Sequence, residues 1–162
     1  MSMETTAVTL ERLNPGRLAG YYGIGITEEQ QAYVTIRKAG LIRRDLFSWG
    51  RMRLRLICRG REVLGYLGMW IDPRIGQFTI APFIIDKRHQ REGIGREALR
   101  LACGEFFAAG APRVKLAVRP GNEAAEAFYT KEGFRFTDEI WGEKDRVMSL
   151  EKDRFEQKGE TP

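Results

Sequence analysis

Ile84-Ile85-Asp86-Lys87-Arg88-His89-Gln90-Arg91-Glu92-Gly93-Ile94-Gly95-Arg96 leads from an apolar strand, through a Gln-x-x-Gly-x-Gly loop, into a helix. Such a loop aims several backbone N–H groups at one point. There the following helix offers its own unpaired donors and the positive end of its dipole. Gly93 and Gly95 let the backbone approach a ligand with no Cβ in the way. The pattern predicts a pocket for a phosphate or pyrophosphate.

Upstream of this stretch, Val8 to Leu13 reads as an opening strand, stopped by the Asn14-Pro15-Gly16 turn. Thr27 to Ala39 has a helical pattern, with Thr27 as N-cap and Gly40 as a stop. Arg51 to Leu56 alternates strictly, which makes a strand with arginines on one face. Glu62 to Ile71 and Phe78 to Ile85 follow as strands after the Arg59-Gly60-Arg61 hairpin turn and the Asp72 to Gly76 turn. These three short-looped strands predict an antiparallel meander.

Downstream, Ile94 to Ala109 is a helix with Leu99, Ala102, Cys103, Phe106 and Phe107 as its apolar stripe. Then come a strand (Arg113 to Val118), a short helix (Asn122 to Lys131, stopped by Gly133) and two strands (Phe134 to Ile140, Arg146 to Leu150). The order describes one α/β domain with a mixed sheet, over residues 1–152, followed by a charged tail, 153–162, expected to fray.

A chain of 162 residues with 43% hydrophobic content can bury a sizeable core. No apolar stretch reaches bilayer length and the polar N-terminus is not a signal peptide, so the expectation is a cytoplasmic protein off the membrane. Cys58 and Cys103 fall in apolar-patterned segments and read as buried structural thiols; no Cys/His cluster has metal-ligand spacing, so no metal is expected. The net charge of +5 is unevenly placed: nine basic residues lie between Arg37 and Arg61 against one acid, Asp45. Such a block attracts an anion, but no aromatic interleaving or nucleic-acid motif goes with it. A solvated strand face is therefore preferred to a nucleic-acid surface.

The decisive second element lies some 27 residues beyond the glycine loop: Asn122-Glu123-Ala124-Ala125-Glu126-Ala127-Phe128-Tyr129, then Lys131-Glu132-Gly133-Phe134. With Gln90-x-x-Gly93-x-Gly95 it resembles the GNAT N-acetyltransferase superfamily, over about residues 50–150. The resemblance implies a mostly antiparallel mixed sheet flanked by helices, acetyl-CoA as co-substrate and an amine acceptor, with a homodimer common in the family. It implies that the backbone N–H groups of Arg91, Glu92, Gly93, Ile94, Gly95 and Arg96 bind the cofactor's pyrophosphate beside Gln90. It further implies that Phe83, Ile84 and Ile85 pair with the pantetheine arm, one N–H serving as oxyanion donor. Pro82, with no N–H, suits an interrupted ladder there. Glu92 departs from the basic or neutral residue usual at its position.

In the second element the resemblance gives cofactor contacts to Asn122, Phe128 and Lys131, while Asn122 also reads as an ordinary N-cap. Tyr129 lies seven residues on from Asn122, two turns along the same face, where the family's tyrosine protonates the departing thiolate. No general base is assigned. Glu28, Glu29 and Glu143 are the carboxylates considered, and His89 reads as a loop surface residue.

Gly20-x-x-Gly23-x-Gly25 reverses the dinucleotide-binding spacing and reads as a flexible turn. Trp49, Trp70 and Trp141 read as core or rim aromatics. The Glu28-Glu29-Gln30-Gln31 helix and the Phe-Ile-Ile-Asp-Lys-x-x-Gln run are similar to spermine/spermidine and diamine acetyltransferases, which favours a polyamine acceptor. A protein or peptide amine, or a coenzyme A-binding module without transfer activity, are the alternatives.

Overall fold

The computed structural model describes residues 7–33 and 37–160. Seven strands form one sheet in the order β1-β2-β3-β4-β5-β7-β6: β1 (Val8–Arg12), β2 (Met52–Arg59), β3 (Glu62–Asp72), β4 (Gln77–Ile85), β5 (Arg113–Val118), β6 (Arg135–Trp141) and β7 (Asp145–Glu151). β1 runs antiparallel to β2, β5 and β6 run antiparallel to β7, and β4 runs parallel to β5 with Thr79 opposite Lys115. Among the described residues the α-helices are α1 (Leu18–Gly23), α2 (Glu28–Gln31), α3 (Lys38–Phe47), α4 (Ile94–Ala108), α5 (Glu123–Lys131) and α6 (Lys152–Glu160). This is the α/β architecture with a mixed, mostly antiparallel sheet that the sequence predicts.

The chain divides into two compact units, residues 1–69 with 82–102, and residues 70–81 with 103–162. In the first, β2 buries Met52, Leu54 and Leu56 and leaves Arg53 exposed, so strict alternation does sort apolar from basic side chains. β3 is buried along Val63 to Met69. Tyr21 packs edge-on against Tyr66 at 5.1 Å between centroids and donates its hydroxyl to the Lys38 carbonyl oxygen. In the second unit, Phe78 meets Phe106 edge-on at 5.6 Å, and Val114, Leu116 and Val118 alternate inward along β5. All five residues of the predicted α4 stripe are buried.

Several expectations are corrected. Of the segment read as a flexible glycine turn, Gly20 and Gly23 lie in helix α1 and Gly25 lies beyond its end; Gly20 packs so near β3 that a Cβ there would meet Val63 Cγ2 at 2.8 Å. The helix expected over 27–39 is instead α2 and the start of α3, with residues 34–36 outside the described residues. Gly40 lies inside α3 rather than ending a helix, because burial of Leu41 outweighs a glycine's cost of about 1 kcal/mol. The tail expected to fray is helix α6, held by Phe155 against Phe107 at 5.0 Å and by Arg154 donating to the Gly133 carbonyl oxygen. Trp49 is 98% exposed, neither core nor rim. The polar start of the chain, residues 1–6, lies outside the described residues.

Candidate active site

The glycine loop follows β4 through a short 3-10 turn, Lys87–His89, and then α4. Its backbone alternates: Arg91 has φ 65° and Gly93 φ 80°, both left-handed, the arrangement that turns successive N–H groups toward an anion. Gly93 acts as the cap of α4, its carbonyl oxygen accepting from Glu97 N at 3.2 Å. The N–H groups of the first turn of this 15-residue helix, from Ile94 to Arg96, therefore point out of its N-terminus. Ile94 is buried and anchors the turn, whereas Arg91, Glu92, Gly93 and Arg96 are exposed. A Cβ built on Gly93 meets nothing within 4 Å, so its neighbourhood is open to a ligand. These features fit a diphosphate.

The acidic residue that departs from the family habit is turned aside. Glu92 Oε2 lies 3.6 Å from Arg59 Nη1 and Oε1 lies 3.5 Å from His89 Nδ1, so the carboxylate faces these neighbours. His89 Nε2 also approaches Glu62 at 3.1 Å, and the imidazole, one-fifth exposed, lies between the two carboxylates. Gln90 does not aim its side chain at the loop. Its Nε2 donates to Gln30 Oε1 at 3.1 Å and to the Ile85 carbonyl oxygen at 3.2 Å.

At the base of the loop, buried Asp86 accepts from Arg88 N at 2.9 Å, Arg88 Nε at 3.1 Å and Arg88 Nη2 at 2.7 Å. The Arg88 side chain holds the Asp86 carboxyl down to about 2. Asp86 N donates to the Leu64 carbonyl oxygen at 2.7 Å and Lys87 N to that of Gly25 at 2.9 Å, which fixes where the loop starts. Neither Asp86 nor Gln30 stands out in sequence as a site residue. The signal for Gln30 is its place three residues after Thr27, and its partner is 60 residues away.

In the second unit, Gly121 at φ 90° turns the chain into α5. Asn122 Oδ1 accepts from Ala125 N at 3.3 Å, so the predicted N-cap is present. Tyr129 is half-buried on α5, its ring 5.1 Å from Phe128 and 5.8 Å from Phe134. Burial raises its phenol above the usual range, with Cys103 a lesser cause. The hydroxyl therefore stays protonated through neutral pH and is fit to donate a hydrogen bond. Lys131 is exposed, and its carbonyl oxygen accepts from Lys158 Nζ.

Burial pushes the Cys103 thiol up to about 12 and the Cys58 thiol up to about 11, so both are buried, unreactive groups. Among the described residues no three His, Cys, Asp or Glu side chains are grouped as metal ligands would be, and no helix is long and apolar enough to cross a membrane.

Residues 26–134 match the acetyltransferase (GNAT) family, two-thirds of the chain. Solved structures agree in fold. A chimera of the Vibrio cholerae spermidine N-acetyltransferase SpeG and hSSAT superposes with a TM-score of 0.67 at 18% identity, over 93% of this chain and 98% of that one. An acetyltransferase from Thermus thermophilus gives 0.63 at 25% identity, over 89% and 96%. The PaiA N-acetyltransferase of Thermoplasma acidophilum, solved with coenzyme A, gives 0.65 at 18% identity, over 90% and 99%. The fold and the matched region define an acetyl-transferring enzyme. The chain belongs to the GNAT family and is an N-acetyltransferase.

Proposed function

We propose that this enzyme moves the acetyl group of acetyl-CoA to a primary amine of a small molecule, a polyamine or diamine in preference to a protein amine. The observation that carries the cofactor half is the alternating left-handed backbone at Arg91 and Gly93 feeding the N-terminus of α4. In this reading the N–H groups from Arg91 to Arg96 hold the diphosphate, and the Arg91 and Arg96 guanidiniums add charge. The backbone of Phe83, Ile84 and Ile85 meets the pantetheine arm, with Asn122, Phe128 and Lys131 as further cofactor contacts.

The amine nitrogen, once neutral, bonds to the thioester carbonyl carbon while the carbon–sulfur bond breaks. Sulfur keeps the bonding pair, and the proton the nitrogen sheds balances the one the thiolate takes up, leaving amide and free thiol. Transfer is direct, with no acyl group resting on the protein: the two thiols are too buried and too weakly acidic to serve. Tyr129 donates to the departing sulfur. Its raised pKa makes it a hydrogen-bond donor to developing thiolate charge rather than an acid that gives up its proton early.

The preference for a polycation rests on Glu28 and Glu29, two exposed carboxylates in the first turn of α2, and on the spermidine acetyltransferase among the fold's neighbours. Thiol release measured over polyamines, aminoglycosides, amino acids and peptide N-termini tests it; turnover confined to peptides would overturn it. Tyr129→Phe is expected to lower kcat roughly 100-fold while coenzyme A affinity stays within about twofold. Wild-type kcat in that variant would remove Tyr129 from the mechanism.

A further inference from the structure

Gln90 sits immediately before the left-handed residue Arg91, and both hydrogens of its side-chain amide are committed. One goes to Gln30 Oε1 at 3.1 Å and the other to the Ile85 carbonyl oxygen at 3.2 Å. Rotating that amide by half a turn would press its oxygen against two acceptor oxygens, so the partners dictate its orientation. Gln30 is equally committed. Its Oε1 also accepts from Thr27 N at 3.0 Å, and its own N–H donates to Thr27 Oγ1 at 3.2 Å, which closes a capping box around the start of α2. The same segment is tied a second time, by Lys87 N donating to the Gly25 carbonyl oxygen at 2.9 Å. Residues 25–30 are therefore strapped to residues 85–90 at both ends.

We infer that Gln30 is a positioning residue for the diphosphate loop, acting through Gln90, and that occupancy of the loop in turn tightens the start of α2. The inference rests on the coenzyme A reading above. The physical link is the peptide between Gln90 and Arg91. Its rotation sets where the loop N–H groups point, and the Gln90 side chain braces it between the end of β4 and a helix cap 60 residues earlier. Because coupling between two equilibria is reciprocal, a ligand that selects the loop conformation also selects the closed cap. The helix so tightened carries Glu28 and Glu29, so donor and acceptor binding share one strap.

A glutamate at position 30 preserves an acceptor for both Thr27 N and Gln90 Nε2, and glutamate is a favoured residue at this place in a capping box. Methionine keeps the length and removes the acceptor. Calorimetric titration with coenzyme A itself, on the full chain, is expected to show Gln30→Met binding roughly three- to tenfold more weakly, the scale of one lost neutral hydrogen bond. Gln30→Glu should lie within about twofold of wild type. The double variant Gln30→Met/Gln90→Met should be no weaker than Gln90→Met alone. Hydrogen exchange on the wild-type chain supplies a reading independent of any variant: the Gln30 and Gln31 amides should slow on adding coenzyme A. Equal loss in Gln30→Glu and Gln30→Met, wild-type affinity in Gln30→Met, or unchanged exchange would overturn the inference alone. Absence of coenzyme A binding by the wild type would overturn the cofactor reading and this inference together.

Discussion

Arg91 and Trp49 are the non-glycine residues with positive φ among the described residues, at 65° and 55°, and a glycine at 80° or 77° follows each within two positions. Left-handed backbone costs an ordinary residue about 1–2 kcal/mol. At the Trp49 turn the bonds that enforce it are local. Ser48 Oγ accepts from Met52 N at 2.9 Å, Arg51 N donates to the Ser48 carbonyl oxygen at 3.1 Å, and Asp45 Oδ1 accepts from Leu54 N at 2.9 Å. Nothing in that set reaches farther than nine residues along the chain. At the Arg91 loop the braces come from Gln30 and Leu64, and a 15-residue helix follows at once. Strained backbone alone therefore marks only a tight turn. In the reading proposed above, it serves an anion where remote contacts hold it against the N-terminus of a long helix.

One methyl group placed on each glycine separates the two turns most strongly. A Cβ added at Gly93 or at Gly50 would have no atom within 4 Å, so Gly93→Ala and Gly50→Ala should each cost about 1–2 kcal/mol of stability through conformation alone. Coenzyme A affinity should separate them: at least roughly tenfold weaker for Gly93→Ala, unchanged for Gly50→Ala. Equal affinity in the two variants would mean that the loop does not carry the diphosphate.

A smaller effect should appear on acidification. The folded-state carboxyl of Asp86 lies at about 2, below its value near ~3.9 in an unfolded chain. Its contribution is therefore complete above pH ~4 and is lost as the pH falls from there toward 2. Because Arg88 is largely exposed, solvent screening limits this to on the order of 1–2 kcal/mol. Denaturant titrations at pH 7 and pH 3 should show the wild type losing more stability than Asp86→Asn. A parallel loss in both would assign the acid sensitivity elsewhere.

Much of the fold is legible in the chain because local rules and burial agree there. The alternation in β2, the apolar stripe of α4 and the Asn122 cap all point the same way as the packing. The loop is legible for the same reason: its glycines and the helix after them are adjacent in sequence. Where a residue's role depends on a distant partner, the sequence is silent. Gly20 reads as a breaker until Val63 is seen against it, and the charged tail reads as loose until Phe155 meets Phe107. Trp49 errs the other way, since its hydrophobicity points inward while its turn holds it out in solvent. The Gln30–Gln90 bond joins two amides with nothing in composition or spacing to pair them.

The smallest effects isolate strain from chemistry by making one substitution at both positions. Glycine removes the left-handed penalty but adds about 0.5–1 kcal/mol of unfolded-state freedom, so each exchange should leave a gain of about 0.5–1 kcal/mol. For a domain of this size that is a rise in Tm of roughly 1–4 °C. Trp49→Gly should show only this gain, because its exposed side chain buries little to lose. Arg91→Gly should show a similar gain together with coenzyme A binding about two- to fivefold weaker at low ionic strength, and the deficit should shrink as salt screens the lost charge. A deficit that persists at high salt would reassign Arg91 from a source of charge to a determinant of loop shape, and the two turns would then differ in geometry as well as in chemistry.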